Sequence, residues 1–215
     1  MNIQLNQLVP VPLRDKITRR PSEVWNTQVS FESGEWVKIK APSGTGKTTL
    51  IHLMYKLRSD YSGTITYDNH NVKNLDDAQL AQYRQSKLSV IFQDLRLFAH
   101  LTAFENIELK RVLQQPFCAE QRIYEMAEQL GITPILKQPA RICSYGEQQR
   151  IAIIRALVQP FDMLLMDEPF SHLDEVNSAK AAALIAEECI KRKAGFVLTD
   201  LDEDNWFTYH RRLNL

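Results

Sequence analysis

Two short stretches of this chain combine residue types that, at their spacing, can handle a polyphosphate. The first is "KIKAPSGTGKTTLIHLM", Lys38 to Met54. Gly44 and Gly46 let backbone N–H groups approach phosphate oxygens in conformations closed to bulkier residues. Lys47 is placed to reach β- and γ-phosphates, and the Thr48 hydroxyl to ligate Mg²⁺. The whole loop, with Pro42, Ser43, Gly44, Thr45, Gly46, Lys47, Thr48 and Thr49, is expected to surround a bound nucleotide. The second stretch is "MLLMDEPFSHLD", Met163 to Asp174. Asp167 closes its apolar run and can bind Mg²⁺ directly or through water, while Glu168 is a candidate general base for an attacking water.

These residues need elements to hold them. "EWVKIKA" (Glu35 to Ala41) is a β-rich run feeding the glycine loop, and "TTLIHLMYKL" then has apolar residues at helical spacing. The loop therefore opens a helix, whose N-terminal partial positive charge adds to the attraction for phosphate. "DMLLMDE" reads as a parallel strand buried on both faces. "GTITYD", "LSVIFQ" and "FVLTD" read as further strands. The text is helical from Leu97 to Gln138, most clearly in "AEQRIYEMAEQLGI", and "GEQQRIAIIRALVQ" is a helix stopped by Pro160. "NSAKAAALIAEECIKRKAG" is a helix with Gly195 as its expected C-terminal stop. The layout is one domain spanning 1–215. It has an α/β nucleotide-binding core, about 1–96 and 156–215, interrupted by a helical part at about 97–155.

Ala41 departs from the G-x-x-x-x-G-K-[ST] pattern, which begins with glycine. At negative φ its methyl group costs little; at left-handed φ the penalty is ~1–2 kcal/mol.

At 215 residues the chain can bury a substantial core. Lysine plus arginine equals aspartate plus glutamate at 26 each, which argues against a protein built to coat nucleic acid or anionic membrane. Cys118, Cys143 and Cys189 are far apart and lack metal-ligand spacing, so a reducing cytoplasm is expected. The N-terminus lacks a basic start followed by an apolar run, so no secretory leader is expected. No apolar run approaches the roughly 20 residues that span a bilayer, so a membrane role would act through a partner.

Between the two stretches lies "CSYGEQQRIAIIRAL", Cys143 to Leu157. Here the sequence resembles the ABC (ATP-binding cassette) ATPases, which carry an LSGG[EQ]QQR-type signature just before the acidic strand. The resemblance runs from about Phe31 to Asp204, with several motifs in the family's order. It implies a P-loop NTPase core with a parallel sheet, a small antiparallel β subdomain and a helical signature subdomain. It also implies ATP and Mg²⁺, and a head-to-tail dimer, either a homodimer or a cassette heterodimer. Ser144 and Gly146 would then touch the γ-phosphate bound by the opposite subunit, and the helix starting near Glu147 would aim its dipole at that phosphate. Tyr145 replaces a usual glycine and Cys143 a usual leucine. Gln93, in "VIFQDLRLFAHLTAFENI", matches the Q-loop, which senses Mg²⁺ and the attacking water and faces the membrane partner. "SHLD" matches the D-loop, with Asp174 at the dimer interface.

The "FQDLRLF…LTAFENI" wording is most similar to the lipoprotein-release, macrolide-export and cell-division type cassettes. Those pair with permease subunits. The implied role is an ATP-hydrolysing subunit, cytoplasmic and held on the inner face of the cell membrane by a separately encoded permease. No nucleic-acid partner is expected.

Two features depart from the family. Its members carry a histidine after the last core strand, in a context like V-T-H-D, where it contacts the γ-phosphate. Here the text is "FVLTDLDEDNW": either Asp200 replaces the histidine, or the histidine is deleted. A carboxylate there would repel phosphate. His210 is expected to be a surface or strand histidine, and His172 in the D-loop is nearer the chemistry. The second departure is the adenine-stacking aromatic, since "IQLNQLVPVPLRDKITRR" contains none; the base would rest on Leu13 or Arg14, or be held loosely. An alternative role follows from the first departure: a nucleotide-gated regulatory or assembly cassette with very slow turnover. A soluble cassette acting on DNA or ribosomes is disfavoured by the neutral charge and the lack of basic extensions.

Overall fold

The computed structural model describes residues 1–17, 21–113, 115–201 and 203–215. Strand β1 (Asn2–Pro10), helix α1 (Arg14–Ile17) and strand β2 (Gln28–Glu32) lead into β3 (Trp36–Lys40), which delivers the glycine loop to α2 (Lys47–Met54). There follow β4 (Tyr61–Tyr67), β5 (His70–Asn71), α3 (Asp77–Ser86) and β6 (Leu88–Ile91). Helices α4 (Ala103–Val112), α5 (Gln121–Gln129) and α6 (Tyr145–Leu157) separate β6 from β7 (Met163–Asp167). The chain closes with α7 (Glu175–Arg192), β8 (Gly195–Asp200) and β9 (Arg211–Asn214).

Five strands form one sheet in the order β6-β7-β8-β3-β9, and every neighbouring pair is parallel. The other sheet, β2-β1-β4-β5, is antiparallel. A parallel sheet needs both faces covered, and the composition of its strands shows that they are. All five residues of β7 are buried. Leu164 and Met166 face an apolar cluster shared with α5, α6 and α7; Met163 and Leu165 face the cluster under α2 and the antiparallel sheet. Each parallel strand ends at the same edge, so the residues just after β3, β6, β7 and β8 emerge side by side. That edge is where ligands bind in open α/β sheets.

The helix ends are locally specified. Ser144 begins α6 with a reciprocal capping box to Glu147, and Thr102 does the same for α4 with Glu105. The expected stop of α7 at Gly195 is corrected. The helix ends at Arg192, and Lys193 takes the left-handed conformation at φ 54°. Gly195 opens β8 instead, and its lack of a side chain serves packing: a Cβ there would lie 2.3 Å from the Glu32 carbonyl oxygen and 2.8 Å from that of Glu35. The β2–β3 turn is pressed onto the start of β8.

Gly195→Ala is therefore expected to cost about 1–3 kcal/mol, the usual range for overpacking a tight contact. Urea unfolding checks this; an unchanged midpoint would mean that the turn is free to move away.

Candidate functional site

The loop after β3 is shaped by its glycines. Gly44 has φ 76° and Gly46, the residue before α2, has φ 108°. Gly46 is also roofed: a Cβ would lie 2.5 Å from Leu13 Cδ1 and 3.3 Å from the Trp25 ring. Trp25 Nε1 donates to the Thr45 carbonyl at 3.2 Å, holding the loop from outside. Pro42, Ser43 and Gly44 are exposed, whereas Thr45, Thr48 and Thr49 are half-buried. Ala41 is not among the positive-φ residues; it is buried, and its N–H donates to the Asp200 carbonyl at 2.9 Å. The low-cost case for its methyl group is the one realised.

Five of the sequence-predicted residues form one hydrogen-bonded set. Lys47, 7% exposed, donates to the Ala41 carbonyl at 3.0 Å and pairs with Glu168 Oε1 at 3.2 Å. Gln93 follows β6. Its Oε1 accepts from the Thr48 hydroxyl at 3.4 Å, and its Nε2 donates to Glu168 Oε2 at 3.3 Å. Asp167, at the end of β7, is 1% exposed and accepts from the Thr199 hydroxyl at 2.9 Å. Burial pushes the Asp167 carboxyl up from its ordinary value; hydrogen bonds from Thr48 and Thr199 oppose this, and the Glu168 charge adds to it.

Glu168 sits at φ 45°, a conformation that bulky residues seldom adopt. It is held there because its N–H donates to the Thr199 carbonyl at 2.9 Å and its own carbonyl accepts from Ser171 N at 3.3 Å and Oγ at 3.1 Å. The turn aims the Glu168 carboxylate back over the glycine loop.

The signature stretch lies beside the loop after β7. Gln149 of α6 donates from Nε2 to the Pro169 carbonyl at 2.7 Å in a buried contact. A Cβ on Gly146 would lie 3.0 Å from the His172 carbonyl oxygen, so glycine permits this approach. Tyr145 packs edge-on against the His172 ring, with centroids 4.1 Å apart. Thr48, His52, Gln93, Asp94, Asp167, Tyr145 and His172 line one cleft of about 300 Å³. Ser144 and Gly146 do not line it. Ser144 is engaged as the cap of α6, and Asp174 as the cap of α7, accepting from Asn177 N at 2.8 Å.

A second cleft of about 310 Å³ adjoins the glycine loop, lined by Ile17, Pro21, Ser22, Trp25, Ser43, Gly44, Thr45 and Leu215 among others. Trp25 lies beyond the aromatic-free stretch from Ile3 to Arg20, of which residues 18–20 lie outside the described residues. At the end of β8, Asp200 is half-buried and accepts from Leu201 N at 2.7 Å. Burial raises its carboxyl above the ordinary value, and the charges of Asp204 and Glu168 act in the same direction. The segment beyond it is anchored by a buried Lys38–Asp204 ion pair, with the Tyr209 hydroxyl donating to Asp204 at 2.6 Å. His210 accepts from Trp36 N at 3.0 Å, at the opposite end of β3 from the glycine loop.

Thr199→Val removes a donor from a buried carboxylate and is expected to destabilise the fold by about 1–3 kcal/mol. The change pushes the already raised Asp167 carboxyl higher. Its cost is fully present at neutral pH and shrinks as pH falls through that carboxyl's range towards the ordinary carboxylate value. Urea unfolding at neutral and acidic pH checks the sign; a deficit that grows on acidification would contradict it.

A profile of the ABC transporter family matches residues 24–171. The lipoprotein-releasing system ATP-binding protein LolD of Legionella pneumophila (strain Lens) is 34% identical over 177 residues, covering 81% of this chain and 78% of LolD. The thiamine import ATP-binding protein ThiQ of Aliivibrio fischeri is 36% identical over 166 residues, covering 76% of this chain and 68% of ThiQ. The dimeric structure of MJ0796, a bacterial ABC transporter cassette, superposes with a TM-score of 0.79 at 25% identity, covering 93% of this chain and 88% of that one. MJ0796 in a post-hydrolysis state bound to ADP and Pi gives a TM-score of 0.79 at 26% identity, with the same coverage.

Proposed function

The chain belongs to the ABC transporter family of ATP-hydrolysing cassettes, and from that premise we propose that it drives a membrane complex as one half of a head-to-tail cassette dimer. The observation that carries this is the hydrogen-bonded set of Lys47, Thr48, Gln93, Asp167 and Glu168 at one edge of the parallel sheet. Backbone N–H groups of the glycine loop and the start of α2 receive the phosphates. Lys47 neutralises the β/γ end. Glu168, held by its strained turn, accepts a proton from the attacking water, and Gln93 bridges that carboxylate to Thr48.

The donor set fits Mg²⁺. Thr48, Asp167 and Gln93 offer only oxygens, as a hard cation requires, and the phosphates supply the remaining ligands. Held by these residues, Mg²⁺ would supply neutralisation of the phosphate charge. The cleft containing Trp25 is the proposed seat of the base. Ser144 and Gly146, which do not line this chain's own cleft, would serve the ATP of a second cassette.

No described helix is long and apolar enough to cross a membrane. We assign membrane attachment to a separately encoded permease, with the cassette on its cytoplasmic side. The nucleotide core is assigned to about 1–96 and 156–215 and the helical part to about 97–155. The LolD match and the "FQDLRLF" stretch favour a permease of the lipoprotein-release type.

The half-buried carboxyl of Asp200 favours a second reading, a regulatory cassette with slow turnover, because no histidine stands at the end of β8. Steady-state hydrolysis with Mg-ATP tests both. Glu168→Gln is expected to lower kcat at least ~100-fold with KM little changed, the usual scale for losing a general base; parental turnover would refute the assignment of the base. Asp200→His is expected to raise kcat severalfold if the missing donor limits turnover. An unchanged kcat would count against the slow reading.

A further inference from the structure

The cleft at the Thr48–Asp167 corner is also lined by His172, from the loop after β7, backed by Tyr145. Taking the ATP-binding reading above as its basis, we propose that the His172 imidazole hydrogen-bonds the terminal phosphate of bound ATP, supplying the donor that β8 lacks.

Thr48, Gln93 and Asp167 surround the position of the γ-phosphate and Mg²⁺, and His172 lines the same 300 Å³ cleft. Asp94 and Asp167, which share the cleft, are acids, and Asp200 puts a further acid at the end of β8. His52 is the other ring donor in the cleft, but it is turned to Arg96, 3.2 Å from its Nε2, and lies edge-on against Phe92 at 5.9 Å. His172 is exposed, so its ring nitrogens can reach a ligand.

His172 is also held in place. Tyr145 lies against its ring, and the Gly146 backbone packs against its carbonyl oxygen. Leu173 N donates to the Phe170 carbonyl at 3.0 Å, fixing the turn in which His172 sits. Tyr145 thus acts as a positioning residue.

Ring signals of the five histidines, in protein labelled with ¹⁵N-histidine, test the contact directly. His172→Ala assigns the His172 signal by its loss, and calorimetry confirms nucleotide binding in parallel. The His172 nitrogens are expected to shift with Mg-AMP-PNP, a non-hydrolysable ATP analogue, and not with Mg-ADP. In steady state, His172→Ala should lower kcat tenfold or more with KM within about threefold, and His172→Gln should recover part of the loss by restoring an N–H donor. A His172 signal unmoved by bound Mg-AMP-PNP, equal shifts with Mg-ADP, or parental kcat in His172→Ala would each overturn the proposal while leaving ATP binding intact. Failure of the parent protein to bind Mg-AMP-PNP would overturn both.

Discussion

A carboxylate buried at 1% exposure is the constraint on which the site depends. Asp167 ends a strand with no polar face, so desolvation would drive it neutral unless other groups supply hydrogen bonds. The donor is Thr199 on β8, and the neighbouring Thr48 hydroxyl on α2 also favours the charged form. Satisfying one carboxylate therefore ties β7 to β8 at the edge where α2 begins. Register does the rest: Asp167 pairs with Thr199 across β7 and β8, and Lys40 with Asp200 across β3 and β8, so the loop after β3 starts beside that point.

From this joint the structure extends in two directions. Through Glu168, whose strained backbone is held by Thr199 and Ser171, it reaches Lys47 and Gln93. Through Pro169, which accepts from Gln149, it reaches the start of α6. The Gln93 side is anchored in its turn by α6: Arg155 donates to the Leu95 and Arg96 carbonyls, where both residues have positive φ. The signature helix is thus joined to the loop after β7 and to the loop after β6.

Local signals were legible in the sequence, and contacts made over long separations were not. The glycine loop and the apolar run into Asp167 and Glu168 are each specified within a few residues. Gly195 misled because a glycine after a helix usually marks its stop; here Lys193 takes the left-handed position, and the glycine is needed by a turn about 160 residues earlier. The residues of β1 alternate only weakly, and the strand exists because β4 pairs with it from about 60 residues away. Trp25 gains its place by reaching the Thr45 carbonyl, and Tyr145 by meeting His172. Neither contact has a sequence period.

The central claim is that Asp167 is held where it is in order to present an oxygen to the metal of Mg-ATP. Calorimetric titration of ATP with and without Mg²⁺, on the parent protein and on Asp167→Asn, tests it most directly. The parent should bind ATP at least tenfold more tightly with Mg²⁺, and Asp167→Asn should bind ATP with little or no such gain. An equal Mg²⁺ gain in a folded Asp167→Asn protein would contradict the account.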